Sequence, residues 1–439
     1  MLLRFAAENI MSFRDTVEFN TFPSSKSHSH DWHKVACNHA IALRMSAIYG
    51  ANGAGKSNLL KCISLLRAMV MSEKLGDLQL PYDLFFKLDR EGHSRQSELA
   101  VEFFTEGQIY YYHVVFTGMV VRQEELSISG KSKDISIFTR SHKGIYVSPE
   151  FFTAGSDEKS TDVFLDAIGR VIRPDMLAFS FFGRYYPEEL PVVKKAYDWF
   201  PRLQVVAPSM TAEALPYLIE KDAEFAALVN EIIPELNTGI SSLRVNSLVI
   251  NEDDIKDNSP LKAVYNAAKA NPGKPQTLDL YTVIMEGGVV MLKSLNAVHI
   301  NSYGEEIGLN IREESDGTRR LVEYMPLLYS ILRKGGVFVI DEIERSIHPI
   351  MIKSIMRKIS DSKEARGQII FTTHESCLLD QNIFRPDEIW FAQKDVNQST
   401  QLYPLSDYNI HKTANIENGY LAGRYGGIPF LSNLSDLKW

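Results

Sequence analysis

Apolar residues alternate along the start of the chain. Leu3, Phe5 and Ala7 share one side of a strand, and Val17, Phe19 and Phe22 form a second after a polar turn. The polar stretch Ser24 to His30 predicts a loop, and Arg44 to Tyr49 reads as a buried strand running into a glycine-rich turn. From Lys56 to Met71 the period changes to that of a helix, with Leu59, Leu60, Ile63, Leu66 and Val70 on one face. Alternation returns from Glu98 to Phe116, broken at TEGQ, and predicts a β-hairpin followed by strand-like pieces through Ile145 and Tyr146. In that hairpin Tyr110, Tyr111 and Tyr112 read as sheet packing rather than a platform for stacked bases. Residues 160–235 look mainly helical, and Asp253 to Pro275, polar with Asn, Pro and Gly, predicts a mobile insertion or a linker. Strands are expected again at Leu278 to Met285 and Gly288 to Ser294. No fixed-period repeat or sustained heptad runs through the chain, so a long coiled coil is excluded.

Composition narrows the class. At 439 residues, 45 % apolar and 23 % charged, the chain is that of a folded protein of two or three domains. Lys and Arg number 47 against 55 Asp and Glu, a net charge of −8, so any contact with DNA must come from a local patch. Arg319 and Arg320 could bind phosphate or DNA, but they read more simply as a solvated helix face. Cys37, Cys62 and Cys377 are scattered and form no CxxC pair, which suggests free thiols in a reducing compartment. His28, His30 and His33 lack Cys or carboxylate partners at ligand spacing and read as part of a solvated loop. The N-terminus lacks a signal-peptide pattern and no apolar run is long enough for a membrane span, so a cytoplasmic protein without membrane contact is expected.

Gly50 to Ser57 (GANGAGKS) matches GxxxxGK[ST] between a predicted strand and a predicted helix. Such a loop wraps backbone N–H groups round phosphates and adds the partial positive charge of a helix N-terminus. Gly50, Asn52, Gly53, Ala54, Gly55, Lys56, Ser57 and Asn58 are therefore candidate nucleotide contacts. Lys56 would reach the β- and γ-phosphates of ATP, and the Ser57 hydroxyl would bind Mg²⁺.

Val337 to Ile340 is an apolar strand that delivers Asp341 and Glu342 at its C-terminal edge, where ligands of open α/β sheets bind. Asp341 can hold Mg²⁺, and Glu342 can polarise a water for attack on the γ-phosphate. Glu314 to Thr318 (ESDGT) precedes a helical segment, so Ser315 and Gly317 offer a hydroxyl and unobstructed amides to an anion, or simply an N-cap. The strand from Ile369 ends in His374, which can touch the γ-phosphate or sit as an ordinary edge histidine. The intervals from Ser315 to Asp341 and from Asp341 to His374 each hold one helix and one strand, which sets Lys56, Asp341 and His374 on neighbouring strand ends.

The phosphate loop, ESDGT, VFVIDEIERSIHP and FTTHES, in that order, resemble the head of ABC-type ATPases in the branch with SMC-like and OLD-like proteins. ESDGT looks like the signature motif, Ser346 to Pro349 with His348 like the D-loop, and His374 like the switch histidine. The opening with Phe5, Asn9, Ser12 and Phe13, the segments FKLD at Phe86 and YDWF at Tyr197, and the tail from DEIWF to GRYGGIP are similar to one bacterial family. It comprises stand-alone AAA/ABC-type ATPases of anti-phage and abortive-infection operons, such as the AriA subunit of PARIS systems. No Q-loop glutamine is found where it is first expected, at Ser180 to Arg184, and Gln79 and Gln96 are weak substitutes.

The resemblance implies an α/β, ABC-type P-loop ATPase head with a mixed sheet, an antiparallel β lobe and a helical insertion. The expected domains are an N-terminal ATPase lobe over 1–150, a mainly helical insertion with returning strands over 151–310, and a C-terminal lobe with the signature, Asp341 and His374 over 311–439. It also implies ATP and Mg²⁺ as cofactors, composite sites in a homodimer or higher oligomer, and a sensor role over a separate effector. That effector is expected to be operon-encoded and Toprim-like, with a phage protein as trigger. The stretch after His374 is too short for a Toprim nuclease and lacks its acidic triad. An SMC-like ATPase of DNA repair is the alternative, weakened by the missing coiled coil. A transporter's nucleotide-binding subunit would need a membrane partner, and the long insertion argues against it.

Overall fold

A computed structural model describes residues 1–78, 81, 83–153, 158–255, 259–411 and 414–428. The chain divides into two compact units. The first comprises Met1–Ala207, Gly335–Ile343 and Met356–Trp439, and the second Pro208–Lys334 and Glu344–Ile355.

Unit 1 is built on two sheets. The first is an antiparallel sheet of seven strands, in the order Gly144–Val147, Ile135–Ser141, Val120–Ile128, Gln108–Thr117, Ser97–Thr105, Leu2–Glu8, Val17–Asn20. The predicted hairpin is there, with Thr105 paired to Gln108, while Tyr110 and Tyr112 are buried in the core. The second is a mixed sheet of six strands, in the order Leu203–Val206, Gly336–Ile340, Gly367–Thr372, Met45–Tyr49, Ile389–Lys394, Thr400–Pro404. Its first five strands are parallel, and the last closes antiparallel onto Ile389–Lys394. The α/β class, the mixed sheet and the antiparallel lobe are those expected, and no long coiled coil occurs among the described residues.

The helix Lys56–Met71 follows the strand Met45–Tyr49 and buries the whole predicted apolar stripe. Each fully buried leucine of that stripe contributes about 1.5–3 kcal/mol over an exposed one. Aromatic rings fill the space around it: Phe103 stacks on Trp199 at 4.3 Å between ring centroids, and Tyr112 lies 4.6 Å from Phe179. Gln368, fully buried on the strand Gly367–Thr372, accepts from Leu2 N and donates to the Leu2 and Leu43 carbonyls, which ties the two sheets together.

Unit 2 is organised around the long strand Val289–Ile300. It pairs antiparallel with Ile240–Ile250, Tyr281–Glu286 and Glu306–Asn310, and Gln276–Leu278 joins beyond Tyr281–Glu286. Lys293 of that strand is buried, and it pairs with Glu220 and with Glu286. The pairing lowers the titration range of the Glu286 carboxyl, first through the hydrogen bond from Lys293. No described helix is long and apolar enough to cross a membrane.

Several expectations are corrected. Residues 151–207 lie in unit 1 rather than in an insertion, because Leu203–Val206 is a strand that pairs in parallel with Gly336–Ile340 inside the ATPase sheet. The polar stretch from Asp253 carries the helix Pro260–Ala270, which buries Tyr265 and Ala268 against Val283 and Val290. The histidine loop is not simply solvated. His33 is fully buried, with Nδ1 2.8 Å from Glu388 Oε1 and Nε2 3.0 Å from the Ser360 carbonyl. The preceding turn is pinned by Arg385, whose guanidinium donates to the Ser27 and Ser29 carbonyls and to Asp387. No metal-holding group of His, Cys, Asp or Glu occurs among the described residues. Arg320 is only 6 % exposed, so it is not a solvated residue of its helix. Gln79 and Pro429 lie outside the described residues.

Candidate functional site

The phosphate loop leaves the central strand Met45–Tyr49 and enters the helix at Lys56. Asn52 and Gly53 are exposed, Ser57 and Asn58 are half-buried, and Ala54 and Lys56 are buried. Gly55 is the N-cap, at φ +104°, and carries no side-chain cap. A Cβ there would lie 2.0 Å from Thr400 Oγ1, so only glycine allows both this backbone angle and this approach. Thr400 is fully buried and bonds the Ala54 carbonyl at 2.9 Å and Ser12 Oγ at 2.8 Å. The loop is thus propped from behind by the paired strands Ile389–Lys394 and Thr400–Pro404 and by the turn at Ser12. Among the described residues the amides of Gly53 and Gly55 find no protein acceptor, and they belong to a helix start that attracts anions.

Lys56 is 5 % exposed, and its ammonium donates to the Gly50 carbonyl at 2.6 Å and to that of Ala51 at 3.2 Å. A buried cation at the start of a helix adds its charge to the partial positive charge of the helix N-terminus, a combination that suits an anionic ligand. Behind the loop, Lys394 donates to Thr400 Oγ1 at 3.1 Å, and burial lowers the titration range of its ammonium. A cavity of about 360 Å³ opens beside it, lined by Met11, Ser12, Leu84, Phe86, Lys394 and Gln398.

Both carboxylates come from one parallel strand, Gly336–Ile340, which the strand Gly367–Thr372 separates from the phosphate-loop strand. Asp341 follows Gly336–Ile340, and its Oδ1 accepts from Ser57 Oγ at 3.0 Å and from Thr372 Oγ1 at 2.6 Å. The phosphate loop and the carboxylate strand therefore meet at one oxygen. Glu342 adopts φ +49° and turns out of the strand, and its half-buried carboxylate has no partner among the described residues. His374 stands exposed two residues beyond the strand Gly367–Thr372, which lies between the carboxylate strand and the phosphate-loop strand. Unit 1 thus brings Asp341 and Glu342, His374, and Lys56 and Ser57 to the ends of three consecutive parallel strands. Hydroxyl and carboxylate oxygens are the donors that Mg²⁺ prefers, and it usually takes one or two carboxylates with substrate phosphates and waters. Ser57 and Asp341 fit that role.

Ser315, Gly317 and His348 lie in unit 2. Ser315 is the N-cap of the helix Asp316–Glu323, and its Oγ accepts from Thr318 N at 3.1 Å. A Cβ on Gly317 would lie 2.5 Å from the Ser346 carbonyl, so the ESDGT turn packs its backbone onto the SIHP segment. Ser315, Asp316 and His348 are exposed. Arg320 of that helix donates to the Met210 carbonyl and to Glu323, and its guanidinium lies 4.7 Å from the Tyr324 ring. Burial raises the titration range of the Glu323 carboxyl, partly offset by Arg320.

A family profile described as "AAA domain, putative AbiEii toxin, Type IV TA system" matches residues 45–380, more than half of the chain. The chain belongs to this family. Its members are AAA-type ATPases, and the profile starts at the strand that carries the phosphate loop and ends just beyond His374. A comparison with curated proteins finds no match. Similar solved structures include an SMC head bound to the C-terminal winged-helix domain of ScpA. It has 13 % identity and a TM-score of 0.45, with 92 % of this chain and 97 % of that one covered. The SMC head domain from Thermotoga maritima has 12 % identity and a TM-score of 0.38, with 93 % and 99 % covered. An SMC head with an extended coiled coil, bound to the C-terminal domain of ScpA and derived from Pyrococcus furiosus, has 12 % identity and a TM-score of 0.40, with 92 % and 96 % covered.

Two residues of the candidate site escaped the sequence reading. Thr400 lies far from the loop in sequence, and nothing local marks it. Thr372 stands two positions before His374 in FTTHES, a polar residue on a buried strand, and that pattern was a usable signal.

Proposed function

We propose that the chain is an ATP-hydrolysing switch: the sensor and scaffold subunit of an anti-phage, abortive-infection system that controls a separate toxic effector. The observation that carries the ATPase reading is the shared Asp341 oxygen, which joins the phosphate loop through Ser57 to the strand end where Glu342 stands without a side-chain partner.

In this reading the loop amides and Lys56 bind the β- and γ-phosphates, and the cavity lined by Met11, Phe86 and Lys394 gives the base an apolar place. Ser57 and Asp341 hold Mg²⁺, which bound there neutralises charge on the phosphates. Glu342 accepts a proton from the water that attacks the γ-phosphorus. The bond to the β-phosphate oxygen breaks, leaving ADP and phosphate, and His374 contacts the γ-phosphate. Ser315, Gly317 and His348 complete the site of a second copy, so turnover reports on assembly. The signature's exposure and the family's description, with its abortive-infection-type toxin, support this reading over DNA maintenance. The AriA-like role, with a Toprim-like nuclease as effector, is its sharpest form.

Glu342→Gln should bind ATP and turn it over roughly 10²–10⁴-fold more slowly than the parent chain, since general-base catalysis contributes on that order. Steady-state phosphate release checks this, and turnover within a few-fold of the parent would remove Glu342 as the base. For the biological half, a neighbouring gene product should copurify with the chain. Co-expression should protect bacteria from some phages, and Glu342→Gln should lose that protection. Unchanged phage plating together with sensitivity to DNA damage would favour the maintenance alternative.

A further inference from the structure

We infer that Thr372 is a positioning residue for the ATPase site, one that sets both carboxylates at once; the inference rests on the ATPase reading above. Thr372 is fully buried and ends the strand Gly367–Thr372, which lies between the carboxylate strand and the phosphate-loop strand. It holds three consecutive residues of the facing turn. Its hydroxyl donates to Asp341 Oδ1 at 2.6 Å and accepts from Glu342 N at 2.8 Å, and its carbonyl accepts from Ile343 N at 3.1 Å.

Donor and acceptor roles are fixed by chemistry. A backbone N–H can only donate and an ionised carboxylate can only accept, so the single Thr372 proton goes to Asp341. Two consequences follow. Asp341 Oδ1 is committed to two hydroxyls, from Thr372 and Ser57, while Oδ2 has no partner among the described residues and stays available to a cation with its waters. The N–H of Glu342 is held away from ladder pairing, and this keeps the residue at φ +49°, a left-handed backbone conformation that a glutamate rarely adopts. That turn takes the Glu342 side chain out of the alternation of the strand. A valine has nearly the same shape as Thr372 but can neither donate to Asp341 nor accept from Glu342.

The test compares Thr372→Val with Thr372→Ser in the full chain, using ATP with Mg²⁺ titrated. Thr372→Val should lower kcat about 10–100-fold, the usual effect of removing a hydrogen bond that orients a metal ligand. It should raise the Mg²⁺ concentration for half-maximal turnover while ATP affinity by calorimetry stays within a few-fold. Thr372→Ser keeps the hydroxyl and should recover most of the loss. In a Glu342→Gln background the valine change should cost much less than in the parent, because both act on one step. A purely structural role would lower the amount of active protein and leave the Mg²⁺ midpoint and this coupling unchanged. If the valine variant does not fold, Thr372→Ala keeps the carbonyl bond to Ile343 and gives the same comparison. Normal kcat and Mg²⁺ response in folded Thr372→Val or Thr372→Ala, or no recovery with serine, would overturn the inference alone. Absence of ATP turnover in the parent chain would overturn the ATPase reading and this inference with it.

Discussion

Two helix N-termini in this chain offer amides to an anion, and they are built in opposite ways. The helix Lys56–Met71 begins at a glycine with no side-chain cap, its cation is 5 % exposed, and a second layer of Thr400 and Ser12 holds its loop from behind. The helix Asp316–Glu323 begins at a serine that caps its own third residue, and Ser315 and Asp316 face outward. At the first, the fold itself supplies cation, amides, hydroxyl and carboxylate. At the second, the local hydrogen bonds are already satisfied, and what remains is a hydroxyl and a glycine turn on the surface. The contrast between an internally built site and an outward-facing segment suits the composite site proposed above, in which one half binds and the other is presented.

The strongest way to break this contrast is at the buried cation. Lys56→Ala removes the ammonium proposed to meet the phosphates, and loss of one partner of a buried charge pair costs about 2–5 kcal/mol. We expect ATP affinity by calorimetry to fall at least roughly 30-fold. Tight binding by this variant would show that the loop amides suffice without the cation.

A mixing experiment comes next. Ser315→Arg should leave ATP binding to the separate chain intact, because the residue is exposed in the other unit, and it should block hydrolysis by filling the space offered to the γ-phosphate. Lys56→Ala supplies a sound signature and Ser315→Arg a sound phosphate loop, so mixing two inactive proteins should restore part of the parent turnover. No recovery, with mixed dimers shown by native mass spectrometry, would argue that each chain completes its own site.

Legibility followed the range of the interactions. The phosphate loop was readable because its backbone turn, cation and hydroxyl lie within eight positions, Gly50 to Ser57. The stripe of Lys56–Met71 was readable because its period is local, and the helix has the predicted bounds. Partners contributed from far along the chain were not readable. Thr400 fills the space beneath Gly55, Glu388 hydrogen-bonds His33, and Leu203–Val206 joins a sheet whose other strands lie far from it in sequence. Polarity misled in two places. Arg320 reads as a surface residue until its guanidinium is found over Tyr324, and the stretch after Asp253 reads as a linker although Tyr265 and Ala268 give its helix a buried side.

The smallest expected effect is the most discriminating, because it separates the cap at Ser315 from the ligand role proposed for it. Ser315→Ala removes the acceptor of Thr318 N–H and should cost about 1 kcal/mol of stability, the usual loss for an N-cap. It would lower turnover under either account, through the missing hydroxyl or through a loosened helix start. Ser315→Asp divides the two. Aspartate caps as well as serine, and its charge is favoured at a helix N-terminus, so denaturant unfolding of this variant should match the parent within about 0.5 kcal/mol. The same charge repels a γ-phosphate, so turnover should fall well below that of the parent while ATP binding to the separate chain holds. A Ser315→Asp protein with both parental stability and parental turnover would leave Ser315 as a helix cap and nothing more, and the outward-facing segment would then have no part in the ATP site.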